Sequence, residues 1–152
     1  ALSGKLGTKA YRVYTIMGDG ELAEGSVWEA AMAAAHYHLD NLCAVIDRNG
    51  LQISGSTEDV MAQEDLAQRW GSFGWNVVCV NGDSIPALDQ AFSQAANYKG
   101  KPTVIIANTT KGYGSPVMEN KADWHHHVPT AEEYDQIQAD FAAGKEAARH
   151  AQ

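Results

Sequence analysis

Asp19 and Asn49 are the first residues whose types and positions suggest chemistry. Asp19 lies between Gly18 and Gly20 in a tight turn, and Asn49 lies in a second turn, with residues 21–48 between the two. A glycine turn that leads from a strand into a helix is a phosphate-binding geometry, but a carboxylate in that turn would repel phosphate. The conflict disappears if Asp19 binds a divalent cation and the cation binds the phosphate.

The predicted cation is Mg²⁺. Mg²⁺ takes about six oxygen ligands and usually only one or two protein carboxylates together with phosphates. The Asp19 carboxylate and the Asn49 amide supply two hard oxygens, and a backbone carbonyl just after Asn49 supplies a third. Each segment taken singly is also a common structural turn. The two together, separated by one helix and one strand, are typical of thiamine-diphosphate enzymes.

The elements that must position these residues alternate between strands and helices. Short apolar and β-branched runs predict strands at 11–17, 42–48, 75–82 and 102–109. Helical patterns predict helices at 24–39, 62–74 and 85–98, separated by loops that include 50–57 and 110–129. Ser84 is the predicted N-cap of the third helix, and Thr130 with Glu133 predicts a capping box for a last helix.

This alternation predicts an α/β fold, a parallel sheet with helices on both faces. Ligands of such sheets bind at the carboxyl ends of the strands. Residues 18–20, residues 47–52 and the loop starting at Thr109 lie at such ends, so we expect them to converge in space. A sheet of four strands also leaves edges that need to be covered.

Length and composition limit the classes of protein. The 152 residues, 45% of them hydrophobic, fit a single domain over 1–152. A net charge of −8 argues against nucleic-acid and anionic-membrane partners, and no apolar run approaches the ~18 residues of a membrane span. Cys43 and Cys79 lie in apolar runs, which predicts two buried thiols and a reducing, cytoplasmic location.

Three segments resemble the transketolase family. They are GDGELAEGSVWEAAMAAAHYHLDNLCAVIDRNGLQISG, MAQEDLAQRWGSFGWNVVCVNGDSIPALDQAF and TTKGYGSPVMENKADWHHHVP. The likeness covers essentially the whole chain and is to the form in which transketolase is split into two polypeptides. The resemblance implies the thiamine-diphosphate-binding fold, with the front segment of the diphosphate-binding half absent here. We expect that segment to cover an edge of the sheet.

The resemblance also implies roles for individual residues. Asp19 and Asn49 match metal ligands that bind through their side chains, and Leu51 matches a ligand that binds through its carbonyl. His125 matches an active-site histidine near the diphosphate and the substrate. Glu24, expected with His125 to be a catalytic residue, matches an acid at the subunit interface, close to the partner's cofactor-activating glutamate. The expected cofactor-binding residues are Gly18, Asp19, Gly20, Glu21, Asn49, Leu51 and His125.

The implied activity is transfer of a two-carbon ketol unit from a ketose phosphate to an aldose phosphate. The implied cofactors are thiamine diphosphate and Mg²⁺, or another divalent cation such as Ca²⁺ or Mn²⁺. The expected partner is a complementary C-terminal transketolase subunit or domain carrying the pyrimidine-activating glutamate, in a homodimer or heterotetramer. The alternatives are 1-deoxyxylulose-phosphate synthase, the first component of a 2-oxo acid dehydrogenase, and a non-catalytic interaction or scaffold domain.

Lys111 and the histidines that follow His125 give weaker indications of function. Lys111 fits either a phosphate contact or a solvated loop position. The run 125–127 consists of three histidines, but consecutive side chains rarely converge on one zinc ion, so His126 and His127 are expected to be exposed. Asp19 is expected in a surface cleft, where its replacement by alanine would leave the fold largely intact.

Overall fold

The computed structural model describes the backbone of residues 1–150 and the side chains of residues 1–144. Its main sheet has four parallel strands in the order β1-β2-β6-β5. These strands are β1 (Val13–Gly18), β2 (Leu42–Arg48), β5 (Asn76–Asn81) and β6 (Thr103–Asn108). Two further strands, β3 (Leu51–Gln52) and β4 (Gly55–Ser56), form a short antiparallel hairpin directly after β2. The predicted α/β fold with a parallel sheet is confirmed.

Helices connect the strands. They are α1 (Leu2–Leu6), α2 (Gly25–His36), α3 (Thr57–Met61), α4 (Leu66–Ser72), α5 (Ile85–Asn97) and α6 (Ala131–His150), with 3₁₀ helices at Asp19–Ala23 and Ala122–His125. Ser84 Oγ accepts a hydrogen bond from the Ala87 N–H at 3.4 Å, as an N-cap does. Thr130 and Glu133 exchange the two hydrogen bonds of a capping box. Both predicted caps are confirmed.

Residues of β2 alternate between two apolar cores, one on each face of the sheet. Ala44 and Ile46 belong to the core that includes Trp70 of α4 and residues of α2. Cys43 and Val45 belong to the core formed with α5. Because both faces are covered, β2 carries the continuous apolar run expected of a central parallel strand.

Two predicted helices are found with shorter bounds than the sequence predicts. The helix predicted at 62–74 is present as α4 but is shorter, covering Leu66–Ser72, because it begins after Asp65, whose carboxylate accepts the Gln68 N–H at 2.9 Å. An N-cap inside the predicted span therefore sets the start of the helix. The helix predicted at 24–39 is α2, which begins at Gly25 as expected but ends early, at His36; a 3₁₀ helix at Asp19–Ala23 lies between β1 and α2.

The outer strands of the described sheet are β1 and β5, each paired on one side only. Apolar side chains of β1 are exposed, with Ile16 76% and Tyr14 51% accessible. Cys79 on β5 is also exposed, so its predicted burial is wrong, whereas Cys43 on the central β2 is buried. Within residues 1–150, the helices lack the combination of length and apolar character that crossing a membrane requires.

Candidate functional site

The carboxyl ends of β1, β2 and β6 lie side by side, since Gly18 pairs with Asp47 and Asp47 with Ala107. A cleft of about 550 Å³ opens at these ends. That volume lies within the range of small-molecule and cofactor sites, roughly 300–1,000 Å³. All eight predicted site residues line it: Gly18, Asp19, Gly20, Glu21, Glu24, Asn49, Leu51 and His125. The predicted convergence of three loops is therefore found.

Asp19 lines this cleft and is only 1% exposed. Its Oδ2 accepts a hydrogen bond from the Gly50 N–H at 2.7 Å and a second from Arg48 Nη1 at 3.0 Å. These bonds join the two turns that the sequence predicts to form one site. Oδ1 makes no hydrogen bond with a described residue, which leaves one carboxylate oxygen for a ligand. Asp19 lies in a cleft as expected, but its side chain is buried instead of lying at the surface.

Asn49 and Leu51 follow in a turn with local hydrogen bonds. Asn49 Oδ1 accepts the Leu51 N–H at 3.0 Å, and an amide oxygen keeps a second lone pair for another partner. Gly50 between them has φ of +77°, a conformation that glycine adopts without strain. One carboxylate, one amide oxygen and one carbonyl form a donor set that fits Mg²⁺. Clusters of three or more His, Cys, Asp or Glu side chains that could hold a metal are not found among the described residues.

The glycine turn approaches the hairpin closely. A Cβ on Gly20 would lie 3.1 Å from Gln52 Cβ, so a larger residue here would force that side chain to move. The carboxylate of Glu21 accepts the Gly18 N–H at 2.6 Å. Glu21 thus lines the cleft and also stabilises the start of the 3₁₀ helix.

Lys111 and His125, from the loop after β6, line the same cleft. Lys111 Nζ lies 3.5 Å from Nδ1 of His125, an exposed residue on the loop after β6. Partial desolvation first, and then the charges of Lys111 and His126, lower the pKa of His125. His126 and His127 are exposed as predicted.

Residues 6–148 match the protein family described as "Transketolase, thiamine diphosphate binding domain". The chain belongs to the transketolase family. It is 49% identical over 136 residues to one subunit of the apulose-4-phosphate transketolase of Phocaeicola vulgatus, an alignment that covers 90% of this chain and 48% of that protein. It is 42% identical over 120 residues to a 6-deoxy-6-sulfo-D-fructose transketolase subunit of Clostridium sp., covering 79% of this chain and 44% of that protein.

The fold agrees with the same family. The crystal structure of transketolase from Campylobacter jejuni superposes with a TM-score of 0.81 at 28% identity, covering 88% of this chain and 21% of that one. This transketolase-family chain therefore spans about half the length of the bacterial subunits that it matches and about a fifth of the transketolase of known structure.

The sequence motifs of this transketolase-family chain do not predict the hydrogen bonds that Arg48 makes. Its side chain is 19% exposed and bonds Thr57 Oγ1 at 2.7 Å and Glu58 Oε1 at 2.7 Å, in addition to Asp19. Burial lowers the pKa of Arg48, but the hydrogen bonds and charges of Glu58 and Asp19 outweigh burial and raise it. A charged residue ending a buried apolar strand is the one sequence signal for such a network, because a buried charge needs a partner.

Proposed function

We propose that this chain binds the diphosphate of thiamine diphosphate through Mg²⁺. The proposed metal ligands are Oδ1 of Asp19, the amide oxygen of Asn49 and the carbonyl oxygen of Leu51, with Gly20 contacting the diphosphate. The observation that carries this proposal is the buried Asp19, which has one oxygen bound by Gly50 and Arg48 and the other without a described partner. The description of the matched family supports thiamine diphosphate as the cofactor.

The remaining cleft residues suit a bound anion and a partner chain. Lys111 adds a cation to the cleft. The lowered pKa of His125 keeps its ring largely neutral at neutral pH, so that it can donate a hydrogen bond from one nitrogen and accept one at the other. Glu24, an exposed cleft residue that precedes α2, is available to a partner subunit. We assign His125 to the substrate side of the site and Glu24 to the interface.

With a partner chain, the proposed activity is ketol transfer from a ketose phosphate to an aldose phosphate. When bound, thiamine diphosphate supplies the nucleophilic carbon that carries the two-carbon unit. The Phocaeicola and Clostridium relatives are named as subunits, which supports a complementary pyrimidine-binding subunit in a homodimer or heterotetramer. Their named substrates carry a phosphate or a sulfonate, and Lys111 in the cleft suits an anionic sugar.

Calorimetric titration of thiamine diphosphate, with and without Mg²⁺, into this chain mixed with its complementary subunit tests the proposal. We expect binding that requires Mg²⁺ and is lost in Asp19→Asn. Asp65→Asn is the matched control, because asparagine is as good an N-cap as aspartate and Asp65 does not line the cleft. An absence of metal-dependent binding in a folded, associated mixture would overturn the proposal. Ketol transfer is then measured on the loaded mixture.

A further inference from the structure

Arg48 is held in place by three side chains at once. Its Nη1 donates to Asp19 Oδ2 at 3.0 Å and to Thr57 Oγ1 at 2.7 Å, and its Nη2 donates to Glu58 Oε1 at 2.7 Å. Thr57 is fully buried at the start of α3. The guanidinium therefore has a fixed position, and it presents a charged donor to one particular oxygen of Asp19.

Both donors that contact Asp19 reach the same oxygen. Oδ2 accepts from Arg48 and from the Gly50 N–H, whereas Oδ1 has no hydrogen-bond partner among the described residues. A carboxylate held in this way can offer a cation Oδ1 alone. Coordination through both oxygens would require Oδ2 to give up a charge-assisted hydrogen bond, which is roughly twice as strong as a neutral one.

The number of carboxylate oxygens offered distinguishes the two common hard cations. Mg²⁺ requires near-octahedral geometry with short bonds, whereas Ca²⁺ takes six to eight oxygens and often binds both oxygens of a carboxylate. We infer that Arg48 is a positioning residue that keeps Asp19 a one-oxygen ligand and thereby makes the site prefer Mg²⁺ to Ca²⁺. This inference rests on the proposed function, because it presumes that Asp19 binds the metal.

The preference between the two ions separates this role from simpler ones. Loss of the Arg48 charge changes the attraction for every divalent cation by the same electrostatic effect. A loosened fold weakens binding with both ions alike. Only the freedom of Asp19 to use its second oxygen favours the larger ion selectively, so the informative quantity is the affinity with Mg²⁺ divided by the affinity with Ca²⁺.

The test is calorimetric titration of thiamine diphosphate into the chain and its complementary subunit, in Mg²⁺ and separately in Ca²⁺. In Arg48→Gln we expect the Mg²⁺-to-Ca²⁺ affinity ratio to fall about tenfold, the lower end of the effect of residues that orient metal ligands. Arg69→Gln is the matched control, since it removes a guanidinium that pairs with Glu64 and does not line the cleft. Its ratio should equal that of the wild type.

An unchanged ratio in folded Arg48→Gln, or an equal loss of affinity with both ions, would overturn the inference while leaving the proposed function intact. If Arg48→Gln does not fold, Glu58→Gln decides, because it removes the charge that fixes Nη2 while Arg48 remains. A fall in its ratio supports the inference and a wild-type ratio refutes it. Absence of metal-dependent binding in the wild type would instead refute the proposed function, and with it the role of Arg48.

Discussion

Replacement of Asp19 is expected to reduce stability as well as ligand binding. In Asp19→Asn the side-chain oxygen can still accept the Gly50 N–H, so the variant loses mainly the charge-assisted bond from Arg48. Such bonds contribute about 1.5–3 kcal/mol. Since the Arg48 side chain is 19% exposed and keeps Thr57 and Glu58, we expect a loss near the lower end, about 1.5–2 kcal/mol. Asp19→Ala also leaves the Gly50 N–H without its acceptor, which brings the loss to about 3–4 kcal/mol.

Urea unfolding of the cofactor-free chain, followed by far-UV circular dichroism, measures these losses. Thermal unfolding gives a second measure, because about 2 kcal/mol corresponds to a fall in Tm of about 4–8 °C for a chain of this size. Asp65→Asn is again the control, because it replaces an exposed aspartate by a residue that can still cap α4. If Asp19→Ala unfolds within about 0.5 kcal/mol of the wild type, as ordinary surface substitutions do, the buried network described for Asp19 is refuted.

Two further predictions concern the loop after β6 and the glycines. Lys111→Met should raise the pKa of His125 only part of the way to its ordinary value, because desolvation, the larger cause of the lowered pKa, remains. In an NMR titration the His125 ring should then stay protonated to higher pH than in the wild type. An unchanged titration curve would contradict the contact between Lys111 and His125. Gly82→Ala should destabilise by about 1–3 kcal/mol, since the new Cβ would lie 2.4 Å from Thr109 Cγ2. Gly71→Ala, where the new Cβ meets open space within α4, should raise the free energy of unfolding by about 0.5–1 kcal/mol. Urea unfolding measures both glycine variants, and a change of the same sign in Gly82→Ala and Gly71→Ala would refute this contrast.

Much of the fold follows from local patterns. The run at 42–48 matches β2 residue for residue: residues 43–46 are buried and apolar, as a strand covered on both faces requires, and the charged Asp47 and Arg48 are its last two residues. The helix expected at 62–74 is found only over Leu66–Ser72, because the spacing of Leu66 and Trp70 predicts a helix while the cap at Asp65 determines where it starts. Apolar spacing predicts that a helix is present better than it predicts the helix bounds.

The residues that line the cleft could be predicted from the sequence, but the hydrogen bonds inside it could not. Adjacent parallel strands bring their following loops together, so the meeting of the Asp19 turn, the Asn49 turn and the loop after β6 follows from topology. The Arg48 network does not follow, because Thr57 and Glu58 reach the guanidinium only through the hairpin of β3 and β4, which lies in a segment predicted to be a loop.

The strand order also determines when each part of the cleft can form as the chain is synthesised. Val13 pairs with Leu42, 29 positions later, whereas Cys43 pairs with Thr103, 60 positions later. Closing the longer loop costs more entropy, and it must wait until β6 has been made. We therefore expect the turns that carry Asp19 and Asn49 to meet early, within one strand-helix-strand unit. Lys111 and His125 then complete the site, so a chain stalled before β6 would keep the residues proposed to bind the metal and lack Lys111 and His125.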